Sequence, residues 1–420
     1  MKGGAICNSP AMSDAASSAG PLSGLRVLEI GHFVAAPFCG RLLADLGADV
    51  IKIEPPGKGD PVRGWGERLN GESLWWSVHG RNKRCVTLDL KHARAKDIVL
   101  DLARACDAVI ENFRPGQLAR LGFDDDTLRS ANPDLMVVHI SGFGQDGPYR
   151  DRAAFGVIGE AMGGIRHLTA YPPGMTDLPP VRTGVSLGDS VTALYAAFGL
   201  MAALWRKARF GGSGRSVDAA LTESVFSLLE GCLTEYGARG TVRQPTGSTL
   251  PTNAPSNAYR SRDGAWLLIA ANSDPLFRKL CELMGAPALA SEARFRDNGA
   301  RCAHARELDG LIGDWVATLD VGEAEAKLAV ADIPASRVYT VKDAAEDRQF
   351  AARDFVRRVE DPLLGPVLHP GIVPRFDGPG GAGAIRWPGP AVGAHNDDIY
   401  GGLLGLAAGE IQTLREEKAI

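Results

Sequence analysis

Two carboxylates and four loops carry the residue types that could do chemistry in this sequence. Asp177 lies in Met175-Thr176-Asp177-Leu178-Pro179-Pro180, and Asp189 lies in Leu187-Gly188-Asp189-Ser190. A positioned carboxylate can attack a carbonyl carbon or carry a proton. The plainer roles are a turn for Asp177 and a helix cap for Asp189, which precedes an apolar helical run. Gly31-His32-Phe33-Val34-Ala35-Ala36-Pro37 leaves a strand pattern and enters a helical one. Free N–H groups at such a start could receive an anion or a ligand carbonyl. His32 serves there either in packing or in ligand contact. In Asn112-Phe113-Arg114-Pro115-Gly116 and just beyond it, Arg114 and Arg120 could reach phosphates, or they begin a solvated helix. Ser141-Gly142-Phe143-Gly144-Gln145-Asp146-Gly147 has glycines that admit a ligand to the backbone, or that only turn the chain. Arg81-Asn82-Lys83-Arg84 reads as a solvated basic face. No Ser-His-Asp set, H-E-x-x-H or metal-ligand cluster stands out, so no metal is expected.

Alternating strand and helix patterns must position these residues. Strands are expected at 25–30, 50–53, 84–88, 108–111 and 135–140, with helices at 37–46 and 93–105 between them. This order implies an α/β fold with a mostly parallel sheet, whose ligands bind beyond the carboxyl ends of the strands. Long, mostly buried helices are expected at 191–206 and 219–229. A hairpin follows through Arg262-Asp263-Gly264, and then helices to about 331. The expected organisation is a loose tail at 1–20, a large domain at 21–229 and a smaller domain at 230–335. Residues 336–420 then return to the large domain.

Composition narrows the partners. The 420 residues carry 46 Lys and Arg against 50 Asp and Glu, a net charge of -4, so no broad basic surface for nucleic acid is expected. Seven cysteines without a C-x-x-C pair suggest a reducing compartment, and thus the cytoplasm. The Ser/Ala/Gly-rich start lacks the apolar region of a signal peptide. The most apolar run, 191–205, is shorter than the roughly 20 residues of a membrane span. On the residues alone, the chain is a ligand-binding α/β protein with the loops of an enzyme.

The same segments carry a family resemblance. Leu25-Arg26-Val27-Leu28-Glu29, Gly47-Ala48-Asp49-Val50-Ile51-Lys52-Ile53-Glu54 and Asn82-Lys83-Arg84-Cys85-Val86-Thr87-Leu88-Asp89-Leu90-Lys91 resemble the opening of class III CoA-transferases. Asn112 to Gly116 is similar to their N-F-x-P-G, and Pro390-Ala391-Val392-Gly393-Ala394-His395 to their P-x-L-G-x-H. The resemblance runs from about residue 21 onward, within the superfamily of formyl-CoA transferase, carnitine CoA-transferase and α-methylacyl-CoA racemase. It implies a Rossmann-like large domain built from both chain ends, a smaller α+β domain and an interlocked homodimer.

It also implies transfer of CoA from an acyl-CoA to a free carboxylic acid, with coenzyme A as substrate and no tightly bound cofactor. An aspartate attacks the thioester to give a mixed anhydride, and the released thiolate then converts that anhydride to an aspartyl-CoA thioester. By the family's D-x-P-P pattern the nucleophile is Asp177, with Asp189 as runner-up because residues are inserted after Thr169. Water must be excluded from the anhydride, so an exposed Asp177 is incompatible with this role. CoA contacts carry over to Val34, Ala35, Leu88, Asp89, Leu90, Lys91, Asn112, Phe113, Arg114, Arg120, Ser141, Gly142, Phe143 and Gly144. Pro55 and Ser141 replace basic residues of formyl-CoA transferase, and its glycine-rich lid has no clear counterpart near Thr246-Gly247-Ser248. Formyl-CoA and oxalate are therefore disfavoured. A racemase remains an alternative through Asp189 and Asp274-Pro275-Leu276-Phe277, although Ala154-Phe155-Gly156 stands where its G-H-D acid/base motif would be. A non-catalytic CoA-binding protein is the other. Arg166, His167 and Arg182 either pair a second substrate carboxylate, as in succinate, or are surface charges.

Overall fold

Short β-rich runs whose residues are buried on both faces build one parallel sheet. Its strands are β1 (Arg26–Ile30), β2 (Asp49–Glu54), β3 (Lys83–Thr87), β4 (Ala108–Glu111), β5 (Met136–Ser141) and β6 (Ser216–Ala220), in the order β3-β2-β1-β4-β5-β6. All five neighbouring pairs are parallel. The direction of winding reverses between β1 and β4, so the loops leaving these two strands open a crevice at the sheet's carboxyl edge. This computed structural model describes residues 20–377 and 383–420. The expected tail at 1–20 lies almost wholly outside the described residues.

Two apolar layers cover the sheet. On one face Leu28, Ile51, Val86 and Val109 pack with Ile98 and Leu102 of α2 (Ala95–Arg104), and with Ile411 and Leu414 of a helix near the other end of the chain. On the other face Val27, Val50, Ile110 and Val138 meet α1 (Ala35–Asp45) and α4 (Leu187–Phe210). Between them in sequence lies α3 (Gly156–Met162), and α5 (Leu221–Phe226) follows β6 directly.

Two expectations fail here. The 219–229 helix begins only at Leu221, because the preceding residues form β6. Only the last two residues of that strand are buried, which left little periodic signal. The expected core helix at 191–206 is also not buried all round. Its small residues Ala193 and Ala196 face the sheet, while Leu194, Phe198 and Trp205 are 53%, 72% and 62% exposed. At 24 residues α4 is also longer than expected, and by length and composition it could cross a membrane.

The chain divides into two compact units. The first holds the described residues up to Arg166, Arg182–Gly237 and Asp354–Ile420; the second holds His167–Val181 and Ala238–Arg353. In the second, β7 (Ser256–Arg260), β8 (Trp266–Ala270) and β9 (Ala335–Arg337) form an antiparallel sheet. Around it the core of Leu267, Ile269, Phe277, Phe295, Ile312 and Leu328 is closed by helices. The return to the first unit falls at Asp354 rather than 336, because β9 pairs with β8 and two short helices follow it.

The basic run at 81–84 is not a solvated face. Arg81, Asn82 and Lys83 are almost fully buried. Arg81 donates to Asp45 at 2.6 Å and to the Pro370 carbonyl at 2.6 Å. Asn82 donates to Asp45 and accepts from the Arg386 amide at 2.6 Å. These charges tie the distant segments of the first unit together.

Beneath the carboxyl edge lies a fully buried ionic group. Lys52 pairs with Glu29 at 2.8 Å and with Asp60 at 2.8 Å, and Lys83 pairs with Glu29 at 2.7 Å. Burial alone would lower the Lys52 pKa, but Asp60, Glu29 and Glu54 together raise it, so Lys52 is charged. Replacing Lys52 by Met leaves Glu29 and Asp60 short of a counter-charge. The variant should lose about 3–5 kcal/mol of stability in denaturant unfolding. A loss below about 1 kcal/mol would mean that the group does not hold the sheet edge.

Candidate active site

The 31–37 loop is fixed at both ends by the buried lysines. Lys52 Nζ donates to the Gly31 carbonyl at 2.7 Å, and Lys83 Nζ donates to the Pro37 carbonyl at 2.7 Å. Phe33 has a φ of 64°, and its amide donates to Asp60 Oδ1 at 3.0 Å. Asn112 clasps His32 from the neighbouring loop, accepting its N–H and donating to its carbonyl, each at 2.8 Å. The amides of His32 and Phe33 are thus already used, contrary to the expectation of free donors across the loop. What remains is the start of α1, which no side chain caps.

Two cavities of the first unit meet at this loop. The larger, about 420 Å³, is lined by Ile30, His32, Ile53, Pro55, Leu88, Asp89, Leu90, Lys91, Phe113, Gln117, Leu121 and Lys418 among others. The smaller, about 220 Å³, is lined by His32, Phe33, Val34, Ala35, Asn112, Phe113, Arg114, Ser141, Gly142, Arg152, Phe155 and Asp189 among others. His32, Phe113 and Gln117 belong to both walls. The His32 ring stands edge-on to Phe113 at 5.3 Å, and burial with the nearby Lys52 charge lowers its pKa and favours neutral imidazole. Most of the residues expected at a CoA site come together here. Phe143, Gly144 and Arg120 line neither cavity: Arg120 is exposed, and the Gly144 amide donates to Ser141 Oγ at 3.0 Å.

The two candidate aspartates part company. Asp177 is exposed in the second unit, in the chain taken alone, and lines neither cavity. Asp189 lies in the first turn of α4 and faces the smaller cavity. It is not the helix cap, a position held by Ser186. Its carboxylate lies over Gly156, where an ideal Cβ would come within 2.1 Å of Oδ2, so a larger residue there would have to displace the carboxylate. Burial raises the Asp189 pKa to about 6. The nearby Glu160 carboxylate pushes the same way, and the Arg182 charge opposes both.

Glu160 of α3 is fully buried, with Oε2 paired to Arg166 at 2.7 Å and Oε1 3.4 Å from the Gly188 amide. Arg166 is therefore not free for a substrate. His167 belongs to the second unit, where its ring contacts the Arg243 carbonyl at 3.2 Å. Arg114, Arg152 and Arg182 have no carboxylate partner among the described residues.

Sequence reasoning missed His139, which lies between Glu111 at 2.6 Å and Asp125 at 3.0 Å. Burial works against its charge, but the hydrogen bonds to Asp125 and Glu111 raise its pKa to about 10. Glu111 in turn accepts the Phe113 amide at 2.7 Å, so this group holds the loop that lines both cavities. Nothing in the sequence spacing of residues 111, 125 and 139 announces it.

A crevice at a sheet reversal, with two adjoining cavities and a half-buried carboxylate on the wall of one, is the place for an elongated ligand in an α/β protein. Comparison with known proteins gives the class. Residues 22–396 match the profile of CoA-transferase family III. The succinyl-CoA–D-citramalate CoA-transferase of Chloroflexus aurantiacus is 45% identical over 402 residues, 95% of this chain and 98% of that protein. The beta subunit of succinyl-CoA–L-malate CoA-transferase from the same organism is 36% identical over 403 residues, 95% of this chain and 98% of that protein. Among solved structures, a CAIB/BAIF family protein from Brucella suis superposes with a TM-score of 0.79 at 33% identity, over 91% of this chain and 99% of that one. The chain belongs to CoA-transferase family III, and it is a CoA-transferase.

Proposed function

We propose that this enzyme moves CoA from succinyl-CoA to a small dicarboxylic acid, with Asp189 as the covalent carrier. The observation that carries the reading is the half-buried Asp189 carboxylate, which lies over Gly156 on the wall of a cavity that shares His32, Phe113 and Gln117 with the larger slot. The larger slot takes the adenosine end of CoA and the smaller its thioester. Asp189 attacks the thioester carbonyl and expels CoA thiolate, leaving a succinyl-aspartyl anhydride. The thiolate attacks the aspartyl carbonyl and releases succinate, leaving an aspartyl-CoA thioester. The acceptor carboxylate then attacks that thioester, and returning thiolate takes the acceptor's acyl group, which frees Asp189. The uncapped start of α1 supplies N–H donors for the oxyanions. Relatives named for succinyl-CoA with citramalate and malate, and one named for succinate with glutarate, support the dicarboxylate class. Arg114 and Arg152 on the smaller cavity's wall, and the Arg182 charge that acts on Asp189, suit such substrates. The racemase reading loses ground because Ala154-Phe155-Gly156 offers no His or Asp as its second proton carrier. We place the enzyme in the cytoplasm, on its free cysteines, with no resident cofactor.

A trapping experiment tests the carrier. Incubation with succinyl-CoA, quenching with hydroxylamine and peptide mass mapping should label Asp189, and malate should discharge the adduct faster than acetate. Asp189→Ala should abolish label and lower turnover by at least about a thousandfold, while Asp177→Ala leaves both intact. Label at Asp177, or none with any acyl-CoA, defeats this assignment, and equal discharge by both acids defeats the dicarboxylate preference.

The pH profile gives a second test. Asp189 reacts as the carboxylate, so turnover should fall as pH drops through about 6. Glu160→Gln removes a neighbouring negative charge and should move that limb to lower pH. Arg166→Gln leaves the Glu160 charge unbalanced and should move it to higher pH. General damage to the fold would not drive the two limbs in opposite directions.

The exposed face of α4 is assigned to a second copy of the chain, in an interlocked homodimer. Leu194, Phe198 and Trp205 make this face too apolar to suit water. Light scattering should give twice the chain mass, and Phe198→Glu with Trp205→Glu should lower it or make the protein insoluble. A wild-type monomer would contradict the assignment.

A further inference from the structure

The wall of the larger cavity lacks the basic residue expected after the second strand, where Pro55 stands, yet it is not without cations. Lys91 and Lys418 both line it, over a floor that includes Ile30, Ile53, Leu88 and Leu121. Lys418 comes from the far end of the sequence, just beyond a helix ending at Glu416. Its placement is fixed rather than incidental. The Lys418 backbone has a φ of 57°, a left-handed conformation that a non-glycine residue adopts at a cost. The turn is closed by the Lys418 amide to the Arg415 carbonyl at 3.0 Å and the Ala419 amide to the Leu414 carbonyl at 2.8 Å. Ala419 is fully buried, and its carbonyl accepts the Asp89 amide at 2.8 Å. Glu417 Oε2 also meets the His92 ring nitrogen at 3.4 Å. Two ties therefore hold Lys418 beside the 88–91 loop, while its own side chain is exposed and has no carboxylate partner among the described residues.

Neither acidic group on the same wall is ion-paired to it. Glu54 is buried and held by Arg63 at 2.7 Å, and Asp89 Oδ1 accepts the Lys91 amide at 3.0 Å. An apolar slot for a flat heterocycle with an unpaired ammonium at its rim suits a nucleoside that carries a phosphate.

We propose that Lys418 binds the ribose 3′-phosphate of CoA and takes over the role that Pro55 cannot fill. The proposal rests on the CoA-transferase reading above and adds a binding residue to it. The test compares succinyl-CoA with its 3′-dephospho analogue in the wild type, Lys418→Ala and Lys418→Arg. Wild type should favour the phosphorylated donor, and Lys418→Ala should raise its KM by about tenfold with kcat unchanged. The KM of the dephospho donor should not move, and Lys418→Arg should restore the preference. Equal increases for both donors, or none for either, would overturn the assignment while the transferase reading stands. Titration calorimetry with CoA and dephospho-CoA separates the levels. Wild type binding neither would overturn both.

Discussion

The structure depends on two lysines that a parallel sheet would ordinarily exclude from its interior. Lys52 and Lys83 stand on neighbouring strands, share the Glu29 carboxylate, and each spends a further hydrogen bond on a carbonyl of the 31–37 loop. Taking such charges out of water costs several kcal/mol per ion, and their pairing offsets this only when every lone pair and proton is used. Here the returns are geometric. The loop is held at its first and last residues, Asp60 takes the Phe33 amide between them, and Gly40 leaves room for the Glu29 carboxylate. An apolar core of the same volume would hold the strands as well, but it would leave the loop free to move.

From that clamp the site follows by subtraction. Because Asn112 and Asp60 consume the His32 and Phe33 amides, the donors left for a developing negative charge are those at the start of α1. The Asn112 loop is oriented in turn by the His139–Glu111 pair. The two loops that leave β1 and β4 are therefore set relative to each other before any ligand arrives. Such preorganisation is what makes a few N–H groups effective on an oxyanion.

The alternating α/β order, five of the six sheet strands and most of the cleft residues were legible in the sequence, because each rests on local pattern or on contiguous motifs. The failures share a cause, which is that partners distant in sequence reassign a residue's role. Arg81 and Lys83 read as surface charges because Asp45 and Glu29, which neutralise them, lie 36 or more residues away. Asp189 read as a helix cap because nothing local announces that Gly156 makes room for its carboxylate. Asp177 is expected as nucleophile from the family's D-x-P-P pattern, and in the chain taken alone it is exposed. Strand β6 was missed because Leu221, the next residue, begins a buried helix and hides the alternation.

If Asp189 is the covalent carrier, as proposed, one constraint governs its choice. An anhydride survives only where water is scarce, and the same dryness raises the pKa of the acid that must form it. A carboxylate driven too far up would be protonated at neutral pH and inert as a nucleophile. At Asp189 the opposing influences settle near pH 6, with burial and Glu160 on one side and Arg182 on the other. The group is then ionised at pH 7 yet more basic than a free carboxylate. On the proposed mechanism, acylation would remove its charge and relieve the repulsion from Glu160 that raises the resting carboxylate's pKa. The energy that burial takes from the ground state would then favour the acylated enzyme, and under that proposal Glu160 beside Asp189 is an asset rather than a conflict.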